Sequence, residues 1–183
     1  NHDMGVTTTV FPRLDGETTS GKPELANKEL TQLTRYIATL GVSARRNLQD
    51  QEALSGESLF IKTGCAKCHT TRFTTSPYHP FAELRNQTIH PYTDLLLHDM
   101  GPGLADNLAE QGASGAEWRT APLWGIGLTA GVSGAESYLH DGRARTLSEA
   151  ILWHDGEGKR ARESFRSMPA TERDALLTFL KSL

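Results

Sequence analysis

Cys65-Ala66-Lys67-Cys68-His69 is the stretch of the chain that decides its fold. The chain has two cysteines, and both lie in this C-x-x-C-H motif. Two thiols at this spacing can each form a thioether bond with a vinyl group of haem b, and the adjoining histidine can then ligate the iron. The motif therefore predicts a c-type cytochrome domain with one covalently bound haem c. Cys65 and Cys68 would anchor the haem, and His69 would be the proximal iron ligand.

Zinc binding, thiol redox chemistry and a disulfide are the other uses of such a cysteine pair. A structural zinc site needs four ligands, usually from a second cysteine pair or a close histidine pair. The histidine pairs His69/His79 and His90/His98 do not have that spacing. A thioredoxin-like site would need a βαβ context, which the sequence pattern lacks, and a disulfide across two residues would be strained. These comparisons favour haem.

The size and charge of the chain limit its possible partners. Its 183 residues fit one domain, or a small domain with extensions. A formal net charge of −3 argues against nucleic acid or an anionic membrane as a partner. No apolar run approaches the roughly 20 residues that cross a bilayer. Because haem is attached covalently outside the bacterial cytoplasm, we expect a periplasmic location.

Two helices are predicted to cross beside the motif. One begins near Asp50, a residue type that caps helix N-termini, and ends at Gly64. The other covers residues 170–183 and has an aliphatic face. Gly56 and Phe60 lie one turn apart in the first helix, and a small residue beside an aromatic one permits a close crossing. A helix directly before C-x-x-C-H, closed by a C-terminal helix, is the arrangement of class I cytochromes c.

The remaining chain is predicted to consist mainly of loops. Residues 4–22 read as irregular, and residues 23–40 as an extra N-terminal helix with an apolar stripe. Between His69 and about Arg145, glycines and prolines interrupt every long element, and only residues 93–98 read as a short helix. We expect these loops to wrap the haem.

The predicted fold class is therefore all-α, a class I cytochrome c-like domain with long haem-wrapping loops and an extra N-terminal helix. Residues 1–183 would form a single mono-haem domain. Within it, residues 1–49 would be an N-terminal extension and residues 50–183 the haem-binding core.

A further short helix is predicted to end near His154. Thr146 and Glu149 have the spacing of a capping box, in which each side chain satisfies the other residue's backbone donor. Leu147, Ile151 and His154 would then lie on one side of the helix. A histidine at the end of an apolar face is by default a core residue. In a chain with haem iron, it is also a candidate sixth ligand.

Three longer stretches carry a family resemblance. They are HPYTDLLLHDMG at residues 90–101, EWRTAPLWGIG at residues 117–127, and YLHDGRAR at residues 138–145, which leads to His154. Together with C-x-x-C-H, these stretches resemble the C-terminal part of the di-haem oxidoreductases. That family is often labelled "thiol oxidoreductase" and is related to the bacterial di-haem cytochrome c peroxidases. The resemblance covers nearly the whole chain.

The resemblance implies that this chain is the C-terminal part of a protein about twice as long. In the related peroxidases the C-terminal haem transfers electrons, while the peroxidatic haem lies in the N-terminal domain. The expected electron partner is therefore the N-terminal domain of the parent protein or another redox protein. The thiol label does not suit this chain chemically, because thioether bonds would consume both thiols.

The resemblance also implies an identity for the sixth iron ligand. In the related peroxidases a methionine holds this position, after an aromatic-His-Asp/Ser-Gly turn and at the end of an E-A-hydrophobic helix. Residues 138–142 and 149–151 match that pattern, which places His154 at the ligand position. Met100, in a Gly-Pro loop, is the alternative ligand. Met168 is expected to serve packing.

Two arginines are candidate haem contacts. Arg119 and Arg143 could pair with the haem propionates, since arginine makes strong charge-assisted hydrogen bonds to carboxylates. Simple solvent exposure is the alternative for both residues.

Two functions of different classes follow. In the first, His69 and His154 close both faces of the iron, and the chain is an electron-transfer module. In the second, the chain is a peroxidase-like haem oxidoreductase with an exchangeable distal site, where His140, His98 or Asp141 would act as acid or base. A haem-based gas sensor is a third possibility.

Overall fold

The computed structural model describes residues 5–13 and 21–183, so residue 4 and residues 14–20 of the predicted irregular segment lie outside it. The helices in the described part are α1 (Asn27–Ala38), α2 (Gln51–Lys62), α3 (Thr129–Ser133), α4 (Leu147–Trp153), α5 (Lys159–Ser167) and α6 (Ala170–Ser182). The strands are β1 (Phe73–Thr74), β2 (Thr88–Ile89), β3 (Leu97–Asp99) and β4 (Glu117–Arg119). No helix of the described ranges is long and apolar enough to cross a membrane.

The prediction of an all-α fold is wrong. β1 pairs with β2 and β3 with β4, so the chain contains two small antiparallel sheets besides its helices. The short helix predicted at residues 93–98 is also absent, because β3 begins inside it and Leu95 has a φ of 61°. The Leu96 amide donates to Asp94 Oδ1 over 2.9 Å, a local side-chain bond that competes with helix formation. The fold class is mixed α and β.

Two compact units make up the chain. The first contains Asn1–Gly41 and Ser76–Arg85, and the second contains Val42–Thr75 and Asn86–Leu183. In the first unit Arg35 pairs with Glu83, and its guanidinium carbon lies 5.3 Å from the centroid of the Phe81 ring. These contacts hold α1 to the segment Ser76–Arg85. The single mono-haem domain, with its extension over residues 1–49, stays a prediction.

Helix α1 confirms the predicted N-terminal helix, but the predicted apolar stripe, whose last residue Leu40 lies beyond the end of α1, is exposed. Leu33, Ile37 and Leu40 are each about half exposed, at 47%, 58% and 54% of their surface. No residue of α1, which is described throughout, is buried. The stripe therefore marks an amphipathic helix and contributes no side chain to the buried core.

The crossing of α2 with α6 forms the core of the second unit and confirms the predicted pairing. Gly56 is buried at the crossing, where a Cβ atom would lie 2.0 Å from the carbonyl oxygen of Ala175. One turn later the Phe60 ring packs at 5.3 Å from the Phe179 ring and at 6.1 Å from the Tyr92 ring. This aromatic cluster supports the segment that follows α2.

The start of α2 supplies a first testable prediction. Asp50 caps the helix, because its Oδ1 accepts hydrogen bonds from the amides of Glu52 and Ala53 at 2.9 and 3.4 Å. Replacing Asp50 with alanine should lower the free energy of unfolding by about 1 kcal/mol. Asp50→Asn keeps an acceptor and should retain most of that stability. Equal losses in both variants, measured by chemical denaturation, would contradict the capping role.

Candidate functional site

Two residues, Thr63 and Gly64, separate α2 from the C-x-x-C-H motif. Gly64 ends the helix with a φ of 93°, a left-handed conformation that favours glycine. A 3₁₀ turn over Cys65–Lys67 comes next, and the His69 amide donates to the Cys65 carbonyl over 2.9 Å. Cys65 and Ala66 pack against the buried core. The α2–α6 crossing therefore fixes the position of the whole motif.

Both thiols of the motif are free and partly buried. Cys65 Sγ lies 3.4 Å from Thr63 Oγ1, and Cys68 Sγ lies 3.8 Å from His98 Nδ1. Burial raises the pKa of Cys65, and burial together with nearby carboxylates raises the pKa of Cys68. At neutral pH both residues are therefore protonated thiols and not thiolates.

His69 has the form of a metal-binding imidazole. Its Nδ1–H donates to the carbonyl of Tyr92 over 2.9 Å, which leaves the lone pair on Nε2. Part of the residue reaches the surface, but the protein packed around it lowers its pKa to about 4, with burial as the main cause. His69 is thus neutral at pH 7 and has a fixed tautomer.

His154 repeats this arrangement at the end of α4. It is the C-terminal cap of the helix, and its Nδ1–H donates to the Ala150 carbonyl over 2.8 Å. Burial lowers the pKa of His154 as well. The charge that His154 would carry is also one of the smaller influences that lower the pKa of His69. The two imidazoles therefore lie within electrostatic reach of each other.

The structure brings Met100 to the same place as His154. A Cβ atom on Gly158 would lie 3.1 Å from His154 Cβ and 3.4 Å from Met100 Cε. Both candidate sixth ligands thus lie beside Gly158, and the choice between them stays open on position alone. Met168, in contrast, is 8% exposed and belongs to the hydrophobic core, which confirms its packing role.

These donors fit a covalently bound haem. Thioether formation needs two reduced thiols, and axial ligation needs neutral imidazoles with an available lone pair. Cys65 and Cys68 supply the thiols. Each ring is held through Nδ1. Within the described ranges, no hydrogen bond involves Nε2 of His69 or of His154, so both Nε2 atoms are available to a metal.

The comparison with known families agrees with this site. All of residues 1–183 match the family described as "Di-haem oxidoreductase, putative peroxidase". The chain belongs to the di-haem oxidoreductase family. The resemblance drawn from the sequence is confirmed, and the haem cofactor and haem-based redox function follow from membership. No curated protein and no solved structure matches the chain.

The family name refers to two haems, whereas this di-haem oxidoreductase sequence carries one C-x-x-C-H motif.

The two candidate propionate contacts differ in their surroundings. Arg119 lies exposed at the end of β4. Arg143 already binds Asp141, with 2.6 Å between Nε and Oδ2, and its guanidinium carbon lies 5.0 Å from the Trp153 ring centroid. Contact of either arginine with a propionate stays a prediction.

Two arrangements in this di-haem oxidoreductase were missed by the sequence analysis. His140 stacks on Trp118, with ring centroids 3.5 Å apart and an interplanar angle of 11°. His98 lies between two carboxylates, those of Asp94 and Glu157, at 2.9 Å from each. The only sequence signal for the second arrangement was the i, i+4 spacing of Asp94 and His98, which is typical of a helix and not of this strand.

Proposed function

We propose that this chain holds one haem c, that His69 and His154 would ligate its iron, and that the chain transfers electrons. The supporting observation is the matched pair of neutral imidazoles, each held through Nδ1 by a backbone carbonyl. When bound, the haem iron supplies one-electron oxidation and reduction. The residues of this chain supply attachment, orientation and burial.

Cys65 and Cys68 would anchor the group through thioether bonds. They suit this role because they are reduced and lie on a turn that packs against the α2–α6 core. Attachment to that rigid element would fix the orientation of the ring. Consumption of both thiols would also prevent dithiol exchange, which disfavours the thiol oxidoreductase label.

His69 and His154 would both ligate the iron. Their Nδ1–H bonds to the Tyr92 and Ala150 carbonyls fix each ring with Nε2 as the available donor. Low pKa values keep both imidazoles unprotonated at neutral pH, so no proton has to leave before ligation. Two nitrogen ligands give a lower reduction potential than a His/Met pair. A closed site of this kind suits electron transfer.

We further propose that the electron partner is the N-terminal domain of a longer parent protein or a separate redox protein, and that the chain works in the periplasm. Covalent haem attachment outside the cytoplasm supports the location. A net charge of −3 does not favour binding to nucleic acid, so we do not expect nucleic acid as a partner.

The second candidate is a peroxidase-like oxidoreductase with an exchangeable distal site, which the description of the family favours. His140 and Asp141 would then be acid and base candidates, with His140 Nε2 at 3.8 Å from Asp141 Oδ2. The stack on Trp118 orients the His140 ring. An exchangeable site requires that His154 not hold the iron permanently.

Covalent attachment is tested by replacing the cysteines in protein made with a haem-attachment system. Wild-type protein should keep its haem through denaturing electrophoresis, because two thioether bonds hold it. The double variant Cys65→Ser/Cys68→Ser should lose it completely, and each single variant should keep a haem with one unreacted vinyl group, visible in the pyridine haemochrome spectrum. Lys67→Ala, inside the same turn, should behave as wild type. Extraction of haem from the denatured wild-type protein would contradict the proposal.

A further inference from the structure

His98 connects three separate segments around the candidate haem site. It lies in the centre of β3, opposite Trp118 of β4. Its Nε2 lies 2.9 Å from Asp94 Oδ2, and its Nδ1 lies 2.9 Å from Glu157 Oε2 and 3.8 Å from Cys68 Sγ. An ionised carboxylate can accept hydrogen bonds but cannot donate them. Both ring nitrogens of His98 must therefore donate, so the imidazole carries a positive charge.

Glu157 fastens the segment after His154 to β3 with both of its carboxylate oxygens. Oε2 accepts from His98 Nδ1, and Oε1 accepts from the Asp99 amide over 3.0 Å. Glu157 lies in the 3₁₀ turn Gly156–Gly158, which directly follows His154 and Asp155. The carboxylate therefore acts as a clip between the strand beside Cys68 and the turn that follows the candidate ligand.

Close backbone packing brings the turn that contains Glu157 within hydrogen-bond distance of β3. A Cβ atom on Gly156, whose φ is 52°, would lie 2.2 Å from the Asp99 carbonyl oxygen. A Cβ atom on Gly101 would lie 3.0 Å from Asp155 Cβ. Glycine at both positions lets the two segments approach until the Glu157 carboxylate reaches His98. A weaker clip would allow the turn, and His154 with it, to move away.

The same side chains have a second possible use as a metal site, which the geometry disfavours. Ligand atoms of Cys68, Asp94 and His98 lie within 4.8 Å of one another. A cation bound by His98 would have to displace a ring proton and one of its two carboxylate partners. It would also compete with haem for the Cys68 sulfur. The hydrogen bonds of His98 to Asp94 and Glu157 already occupy both ring nitrogens, so neither nitrogen is free for a cation.

We propose that His98 and Glu157 are positioning residues that hold His154 in place to ligate the iron. This inference rests on the proposed ligation by His69 and His154. It assigns a role to two residues that touch neither iron-binding nitrogen. Loss of the clip should let His154 dissociate more readily while the α2–α6 core stays folded, because Glu157 is exposed and lies outside that core.

The test compares haem-loaded Glu157→Ala and Glu157→Gln with wild type and with Glu110→Gln, which alters an exposed carboxylate in a loop. The readouts are the high-spin fraction of the ferric absorption spectrum and cyanide affinity. We expect a higher high-spin fraction and a gain in cyanide affinity of about tenfold in Glu157→Ala, since loss of a residue that orients a metal ligand typically costs tenfold or more in metal affinity. Glu157→Gln, which keeps the shape but not the charge, should lie between Glu157→Ala and wild type. Cyanide affinity in both variants equal to that of Glu110→Gln would overturn the proposal.

Two further measurements separate positioning from general destabilisation. In a His154→Ala background, Glu157→Ala should add no further gain in cyanide affinity, because no ligand remains to be positioned. An equal gain in both backgrounds would overturn the inference.

His98→Gln provides a second route should Glu157→Ala fold poorly, and an unchanged spectrum in that variant would count against the clip. A wild-type protein that is already high-spin would overturn the proposed ligation and the inference together, whereas a low-spin wild type with unaffected variants would overturn the inference alone.

Discussion

Replacing Gly56 with alanine is expected to lower the free energy of unfolding by about 3 kcal/mol, although the change adds only one methyl group. The new Cβ atom would lie 2.0 Å from the Ala175 carbonyl oxygen and 2.8 Å from Phe179 Cβ. The first of these neighbours is backbone, so α2 and α6 would have to separate. Chemical denaturation of the variant and wild type measures the loss.

Gly131→Ala is the matched control for this prediction. Gly131 lies in α3, and no heavy atom would come within 4 Å of its new Cβ. Alanine also favours helix over glycine, so this variant should be neutral or slightly more stable. Because C-x-x-C-H begins only two residues after the end of α2, Gly56→Ala should also reduce haem incorporation. Equal stability of the two alanine variants would show that the crossing does not limit the fold.

Replacing His154 with alanine is expected to have the largest effect on the chemistry of the site. Loss of the second imidazole would leave His69 as the remaining histidine ligand, so the ferric spectrum should become high-spin. Cyanide affinity should rise by at least about tenfold, which corresponds to about 1.4 kcal/mol. Absorption spectroscopy with a cyanide titration measures both changes.

His90→Ala is the matched control for this substitution. The Nδ1 of His90 is also bonded to a backbone carbonyl, that of Thr71 at 3.0 Å, but the residue is exposed. This variant should keep the wild-type spectrum. Met100→Ala decides between the candidate ligands, since Met100 approaches the same glycine as His154. A high-spin Met100→Ala protein beside an unchanged His154→Ala protein would reverse the assignment.

Local sequence signals predicted the elements that hold the motif. Asp50 caps α2, and Gly56 with Phe60 forms the contact with α6. Thr146 also accepts from the Glu149 amide over 3.0 Å, which confirms one half of the predicted capping box. The other half differs, because the Glu149 carboxylate accepts from the Arg145 amide instead. These signals act over one helical turn, which is why sequence reasoning found them.

The sheets could not be predicted in the same way. β3 and β4 are three residues each, and the pairing of Leu97 with Arg119 depends on contacts distant in sequence. The run 93–98 has a helical composition, but Asp94 bonds to the Leu96 amide and Leu95 takes a left-handed φ. The local Asp94 bond and the pairing of β3 with β4 together therefore override the helical composition of this segment.

The candidate site likewise contains residues that the sequence predicts and residues that it does not. C-x-x-C-H is contiguous, so the anchors and proximal ligand were evident from the sequence, and His154 came from the family pattern. The partners of His98 were not evident, because Glu157 reaches it from a turn far along the chain. A carboxylate that acts through another side chain leaves no motif. Only the folded positions of the two residues reveal it.

The absorption spectrum of the haem-loaded protein, oxidised and reduced, tests the central claim most directly. Ligation by His69 and His154 predicts a low-spin ferric spectrum without the weak long-wavelength band that arises from a methionine-to-iron bond. A spectrum that contains this band would instead assign the sixth position to a methionine, with Met100 as the candidate beside Gly158. A high-spin ferric spectrum would contradict the closed electron-transfer site and favour a peroxidase-like function.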